Sequence, residues 1–355
     1  MDRQTLGRIN AQHINSEKLE AALRDLINEY ARFHLPEFWG KGQAAITDGT
    51  HIELTENTLL GERHVRYGGY GGIAYHHISD NYVALFCNFI ACGVWEAVYL
   101  FDGLVQNISE IQPDTLHADT QGQSEPVFGL AHVLGIKLFP RMRNWSDVTF
   151  YRPTKETKYA HIDGLFTDTI DWNLIERHWQ DIMQIVISIQ AGKVLPSMIL
   201  RRLGSRNRKN KLYRALRELG RVERTIFLLR YISEHEFRFG IRAETTKIES
   251  FHSFLDWIAF GGSIIKSGDP VEQTKRMKYM DVVANAIMLQ NVVDLTEVLN
   301  SMAEDGITIT PELLGGLSPY MREHILRFGQ WMLNMEDKPP PLRPRTVPVG
   351  IRPSM

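Results

Sequence analysis

Three carboxylates sit where residue type and context suit metal-assisted phosphoryl chemistry: Asp48, Asp119 and Glu249. Asp48 follows A-A-I-T (44–47), small and β-branched residues that read as a buried strand ending at an exposed acid, with Gly49 turning the chain away. Asp119 closes L-H-A-D (116–119) in the same manner. Two acids at strand ends of one sheet repel each other unless a divalent cation lies between them. A third acid from a helix would complete a site for two Mg²⁺ ions and in-line displacement at phosphorus. Glu249 lies in T-T-K-I-E-S-F-H-S-F-L-D-W (245–257), where helical spacing puts Glu249, His252, Ser253 and Asp256 on one face. The competing reading makes Asp48-Gly49 an ordinary turn, and all three acids caps or solvated side chains.

Around these acids the elements read as follows. Residues 1–38 keep the 3.6-residue period of a helix through Leu19, Leu23, Leu26, Ile27, Tyr30 and Phe33, stopped at Leu35-Pro36. Residues 39–155 alternate strands and helices: three strands, helix, strand, helix, strand, which predicts a mixed sheet flanked by helices. Residues 156–240 read as helical and basic, and 241–335 as C-terminal helices, including 275–302 and 314–332. Proline-rich residues 336–355 read as a disordered or extended tail.

Between Arg201 and Arg230 stand eleven basic residues against only Glu218 and Glu223, in a chain of formal net charge -2. Such clustering is the footprint expected for phosphate backbone. Arg201, Arg202, Arg206, Arg208, Lys209, Lys211, Arg214 and Arg221 are the candidate DNA contacts, although Leu212, Leu216 and Leu219 mark a buried side, and a solvated helix face is the plainer alternative. Gly68, Gly69, Gly71 and Gly72 precede a strand, so they predict a hairpin or loop and not a phosphate cradle. His76, His77 and Asp80 read as core or loop residues. His117 alternates with Asp119 onto one strand face, which makes it a candidate site neighbour. Neither H-E-x-x-H nor G-x-S-x-G occurs.

The chain has 355 residues with 43% hydrophobic and 23% charged content, ordinary for a globular protein of this length. Cys87 and Cys92 are its two cysteines, too few for a zinc knuckle and spaced to point to opposite faces of a strand. Free thiols and the absence of an apolar signal core in M-D-R-Q-T-L-G-R-I-N predict a cytoplasmic protein that does not engage membranes.

Several ordered segments then carry a resemblance. T-D-G-T (47–50), R-Y-G-G-Y-G-G-I-A-Y-H-H-I-S-D (66–80), G-V-W-E-A-V-Y-L-F-D-G-L (93–104), L-H-A-D-T-Q-G (116–122), R-x-R-N-W (141–145), L-R-R-L-G-S (200–205), L-R-E-L-G-R-V-E-R-T (216–225) and T-K-I-E-S-F (246–251) together resemble the catalytic domain of Tn3-family transposases, over residues 38–328. The resemblance implies an α/β fold: an RNase H-like mixed sheet interrupted by a large all-helical insertion that carries the basic block. It assigns the D-D-E triad to Asp48, Asp119 and Glu249, with His117 and His252 as possible neighbours. It implies two Mg²⁺ ions, with Mn²⁺ able to substitute. Double-stranded DNA at transposon ends and target, a homodimer, and a cytoplasmic, nucleoid-associated setting follow in the same way. Family proteins carry long N-terminal DNA-binding regions, whereas only about one helix precedes the core here. A catalytically silent, truncated remnant that binds DNA or dimerises is therefore the alternative, with a small-phosphoester metallohydrolase behind it.

Overall fold

The computed structural model describes residues 2–55, 58–65, 69–204, 210–260, 265–329 and 344–350. Its first segment is two helices, α1 (Arg3–His13) and α2 (Ser16–Tyr30), where the sequence predicts one. Asn15 divides them because its side chain accepts the Lys18 amide and so starts a new helix. α2 keeps the expected stripe, burying Leu19, Leu23, Ile27 and Tyr30.

A mixed sheet follows, made of β1 (Ala44–Glu53), β2 (Glu62–Arg63), β3 (Tyr70–Ser79), β4 (Ala84–Ala91), β5 (Thr115–Ala118) and β6 (Lys137–Pro140). Across the sheet the order is β4-β3-β1-β5-β6, with β2 pairing the start of β3 on the β4 side. β3 is antiparallel to β1 and β4, whereas β5 and β6 run parallel to β1. Parallel neighbours need crossovers. The short helix α3 (Asp102–Gln106) lies in the crossover to β5, and α4 (Glu125–Val133) in that to β6.

The strand that carries Asp48 does not stop there. Glycines at 71 and 72 let β3 run opposite β1 as far as Glu53, so Asp48-Gly49 is mid-strand and not a turn. Any Cβ on Gly71 would stand 2.4 Å from the Ile52 carbonyl oxygen, a contact only glycine permits.

Past the sheet come β7 (Phe150–Arg152), β8 (Phe166–Thr169), α5 (Trp172–Arg177), α6 (Trp179–Gln190), α7 (Pro196–Gly204), α8 (Lys211–Ser233), α9 (His235–Ile258), α10 (Pro270–Glu304) and α11 (Pro311–Gly315). Three expectations are corrected. Region 156–240 is not all-helical, since β8 pairs in parallel with β7. The helix expected over 314–332 ends at Gly315, with residues 316–329 irregular, because Gly315-Gly316 and Pro319 interrupt it; residues 330–332 lie outside the described residues. Within the expected tail, 344–350 is extended and docked. Val347 is buried, and backbone bonds join His34 to Arg345 and Ile309 to Gly350, both at 2.9 Å.

Helices cover both faces of the sheet. His76 packs against Phe251 of α9 and Asp281 of α10, while the next residue, His77, meets the Leu100 carbonyl at 2.9 Å on the opposite face. Consecutive strand residues point to opposite sides, so the pair marks the pleat. α10 is long and apolar enough by composition to cross a membrane. Its buried face nevertheless carries Asn285, bonded to both backbone groups of Ala84, and Asn291, bonded to the Pro319 and Met321 carbonyls. Those contacts make it a core helix.

Candidate active site

The register of β1 and β5 decides where the first two acids fall. Thr47 pairs with Ala118 as the last parallel partners, so Asp48 and Asp119 are the next residues on adjoining strands. Beyond that point β5 turns away into a 3-10 turn over residues 120–123, which Asp119 caps by accepting the Gln121 amide at 2.9 Å. Asp48 accepts the amide of Gly49 at 2.9 Å. Asp48 shares its sheet face with Ile46 and His76, the face on which α9 lies.

α9 crosses β1 and β5 there. Ile248, Phe251, Phe254 and Leu255 are its buried side, which leaves Glu249 exposed at the sheet's edge, 3.7 Å from Arg141 Nη1. Arg141 is held where β6 ends, its amide bonded to the Ala118 carbonyl at 2.9 Å. Burial pushes the Asp48 carboxyl up to about 7. Repulsion from Asp119 adds to that, then Glu96 and Glu249, against the Gly49 amide that favours the charged form. Asp48 therefore feels both of the other sequence-predicted acids.

Glu96 is a fourth acid that the sequence reading missed. It is buried, and a Cβ on Gly49 would stand 2.6 Å from its Oε2, so the carboxylate lies directly over β1. Gln121 clasps it twice: Gln121 Oε1 accepts the Glu96 amide at 3.1 Å, and Gln121 Nε2 donates to Glu96 Oε1 at 3.0 Å. Because the Gln121 amide also binds Asp119, one residue links the Glu96 and Asp119 segments. No local pattern flags a single acid after Trp95; the glycine at 49 that admits it is the only trace.

His117 lies two residues before Asp119, edge-on to Phe139, and burial with Lys247 nearby lowers it to about 4. It is neutral at physiological pH. His252 sets its ring 5.5 Å from that of His76, and burial, with His76 adding, lowers it to about 3.

The basic block divides. Arg201, Arg202, Lys211 and Arg214 are exposed, with Arg201 also bonded to the Tyr99 hydroxyl, whereas Arg206, Arg208 and Lys209 lie outside the described residues. Arg221 turns inward: its side chain is 13% exposed, bonds Glu218 at 2.7 Å and Glu125 at 3.4 Å, and lies over the Tyr151 ring. Arg217 and Arg224 also meet Glu125. Much of the positive charge is thus spent inside the protein.

A family model described as the Tn3 transposase DDE domain matches residues 1–331. The chain belongs to that family. Its curated relatives include the transposase for transposon Tn1546 of Enterococcus faecium, 30% identical over 93% of this chain and 34% of the relative. The transposase for transposon Tn501 of Pseudomonas aeruginosa is 32% identical over 92% of this chain and 33% of the relative. That for transposon gamma-delta of Escherichia coli (strain K12) is 27% identical over 95% and 34%. The chain thus spans about a third of the length of these Tn3-type transposases. No solved structure matches it.

A crowded acid carries a stability consequence. Unfolded, Asp48 ionises near its ordinary 3.8, and folded only near 7, so the folded state keeps a proton that the unfolded state has lost. Its contribution therefore turns against folding as pH rises from 4 to 7. In metal-free protein, Asp48→Asn is expected to raise stability at pH 8 by about 2 kcal/mol and to change nothing at pH 4. Urea titrations at both pH values test this; equal stability at pH 8 would remove the crowding.

Proposed function

We propose that this chain carries the catalytic centre of a DDE transposase, which nicks DNA at the 3′ ends of transposon inverted repeats and joins those ends to target DNA. The observation that carries the reading is the parallel register ending at Thr47 and Ala118, with α9 bringing Glu249 across it. The strand order β4-β3-β1-β5-β6 supports an RNase H-like core from 39 to 155, completed by α9 within 241–335, with 156–240 as the insertion and 1–38 leading into the core.

An all-carboxylate donor set, hard in character and mutually repelling, fits Mg²⁺ or Mn²⁺. Asp48, Asp119 and Glu249 would hold two such ions. When bound, these activate a water or a 3′-hydroxyl and stabilise the leaving oxygen. The chain's own part is positional. Gln121 fixes Asp119 and Glu96 together, and Gly49 lets Glu96 lie against β1. Arg141 is the nearby cation for a phosphate approaching Glu249. The DNA is double-stranded, at both element ends and target, in the bacterial cytoplasm and nucleoid; a homodimer would serve the two ends.

If Glu96 positions the pair, Glu96→Ala is expected to slow strand nicking by about 10–100-fold, and Glu96→Gln, which can still accept from Gln121, by less. Single-turnover nicking of labelled end oligonucleotides measures both; a parental rate in Glu96→Ala removes this role.

For the DNA surface, replacing Arg201, Arg202, Lys211 and Arg214 with Ala is expected to weaken DNA binding and flatten its salt dependence by about 0.9 in log–log slope per lost phosphate contact. Arg221→Ala should leave that slope alone and cost stability, by about 3 kcal/mol, because buried Glu218 loses its cation and is left with the Asp171 amide. Filter binding across a salt series and denaturant titration separate the two. The reading as a whole is tested by Mn²⁺- or Mg²⁺-dependent nicking of end oligonucleotides. DNA binding without nicking in either metal would leave a catalytically silent remnant.

A further inference from the structure

A second cluster shares the sheet face of Asp48. His76 is the β3 partner of Asp48, and across its other edge it faces Cys87 of β4. Asp281 reaches the pair from α10, its Oδ1 3.3 Å from His76 Nε2. All three side chains are buried, and one donor atom from each lies within 4.8 Å of the other two.

Hydrogen bonding does not account for this group. Asp281 Oδ1 accepts no hydrogen bond, and His76 Nδ1 makes none. A buried carboxylate oxygen that accepts no hydrogen bond is costly. Lys278, one turn earlier on α10, is engaged by Glu20. Burial, with Asp281 adding, drives the Cys87 thiol well above its ordinary range, so a thiolate would form there only against a cation. A cleft of about 110 Å³ between α2, β4 and α10 is lined by Leu23, Cys87, Lys278 and Asp281, which gives an ion a route in and room for a water.

We propose that His76, Cys87 and Asp281 form a Zn²⁺ site separate from the catalytic carboxylates. Nitrogen, sulfur and oxygen donors from three elements suit this borderline-soft ion and not Mg²⁺, which favours oxygen alone. Three protein ligands leave the fourth tetrahedral position for water from the cleft. Binding expels the Cys87 proton to solvent and ties α10 to β3 and β4, beside Asp48.

The test uses the whole chain, stripped with a chelator and then titrated with Co²⁺ and Zn²⁺. One Co²⁺ per chain is expected to give a thiolate-to-cobalt charge-transfer absorption, displaced by Zn²⁺ and indifferent to excess Mg²⁺. Cys87→Ser should abolish that absorption, and Cys92→Ser and Asp48→Ala should keep it. Asp281→Asn should weaken Zn²⁺ binding by more than about a hundredfold. Should Cys87→Ser fail to fold, the parent and Asp281→Asn decide. No such absorption from the parent, its survival in Cys87→Ser, or unchanged Zn²⁺ affinity in Asp281→Asn would overturn the site.

Discussion

Asp48→Ala and Asp119→Ala should each reduce DNA nicking and joining by roughly a thousandfold or more, and the double variant should be little worse than either alone. Both carboxylates sit one step beyond the last parallel pair of β1 and β5, so on the proposed reading each would supply half of a shared cation site. Once half is gone, the remaining acid has nothing to share, which is why the losses do not add. Glu249→Ala should fall in the same class. Its carboxylate is the exposed member of the set, though, and metal affinity should suffer less than with Asp48. Rates at saturating Mn²⁺ separate lost affinity from lost chemistry: a deficit that vanishes at high metal is affinity alone. Near-parental activity in Asp48→Ala would sink the triad.

The second large effect is structural. α4 and α8 touch backbone to backbone at Gly129 and Gly220. A Cβ on Gly220 would stand 1.7 Å from the Glu125 carbonyl oxygen, and one on Gly129 2.2 Å from that of Leu216. Neither obstacle is a side chain that can swing aside, so the helices must separate. Gly220→Ala is expected to cost about 3 kcal/mol or more. Because α4 begins right after the turn that Asp119 caps, separation should also disturb the site, and activity should fall further than the folded fraction. Denaturant midpoints for Gly220→Ala and Gly129→Ala measure the first effect. A cost below about 1 kcal/mol in both would mean that the contact is looser than it stands.

What was legible in the sequence follows the range of the interactions. The Asp48 strand could be read because Ala44–Thr47 is locally apolar and β-branched; its true end could not, because that depends on Gly71 and Gly72, some twenty residues away. The α9 face of Glu249 was readable from helical spacing, but the contact of His252 with His76 is one that spacing does not encode. Arg221 counted as a surface charge until Glu125 and Glu218 enclosed it. β8 escaped notice because a four-residue parallel strand draws its order from β7 and carries no pattern of its own. Asn15 divided the single helix expected over residues 1–38, because its cap on Lys18 acts locally and leaves the apolar period after it intact. Assignment of the triad itself came chiefly from the ordered motifs of the family resemblance, and less from the spacing of the acids.

The most direct test of the metal centre is cleavage of the protein's own backbone by Fe²⁺ with hydrogen peroxide and ascorbate, mapped by mass spectrometry. Hard carboxylate donors that bind Mg²⁺ also admit Fe²⁺, which cuts the chain where it is held. Cuts are expected next to Asp48, Asp119 and Glu249, suppressed by excess Mg²⁺ and lost in Asp48→Asn. Cuts that ignore Mg²⁺ and persist at these three positions in Asp48→Asn, or none there at all, would contradict a shared divalent-metal centre.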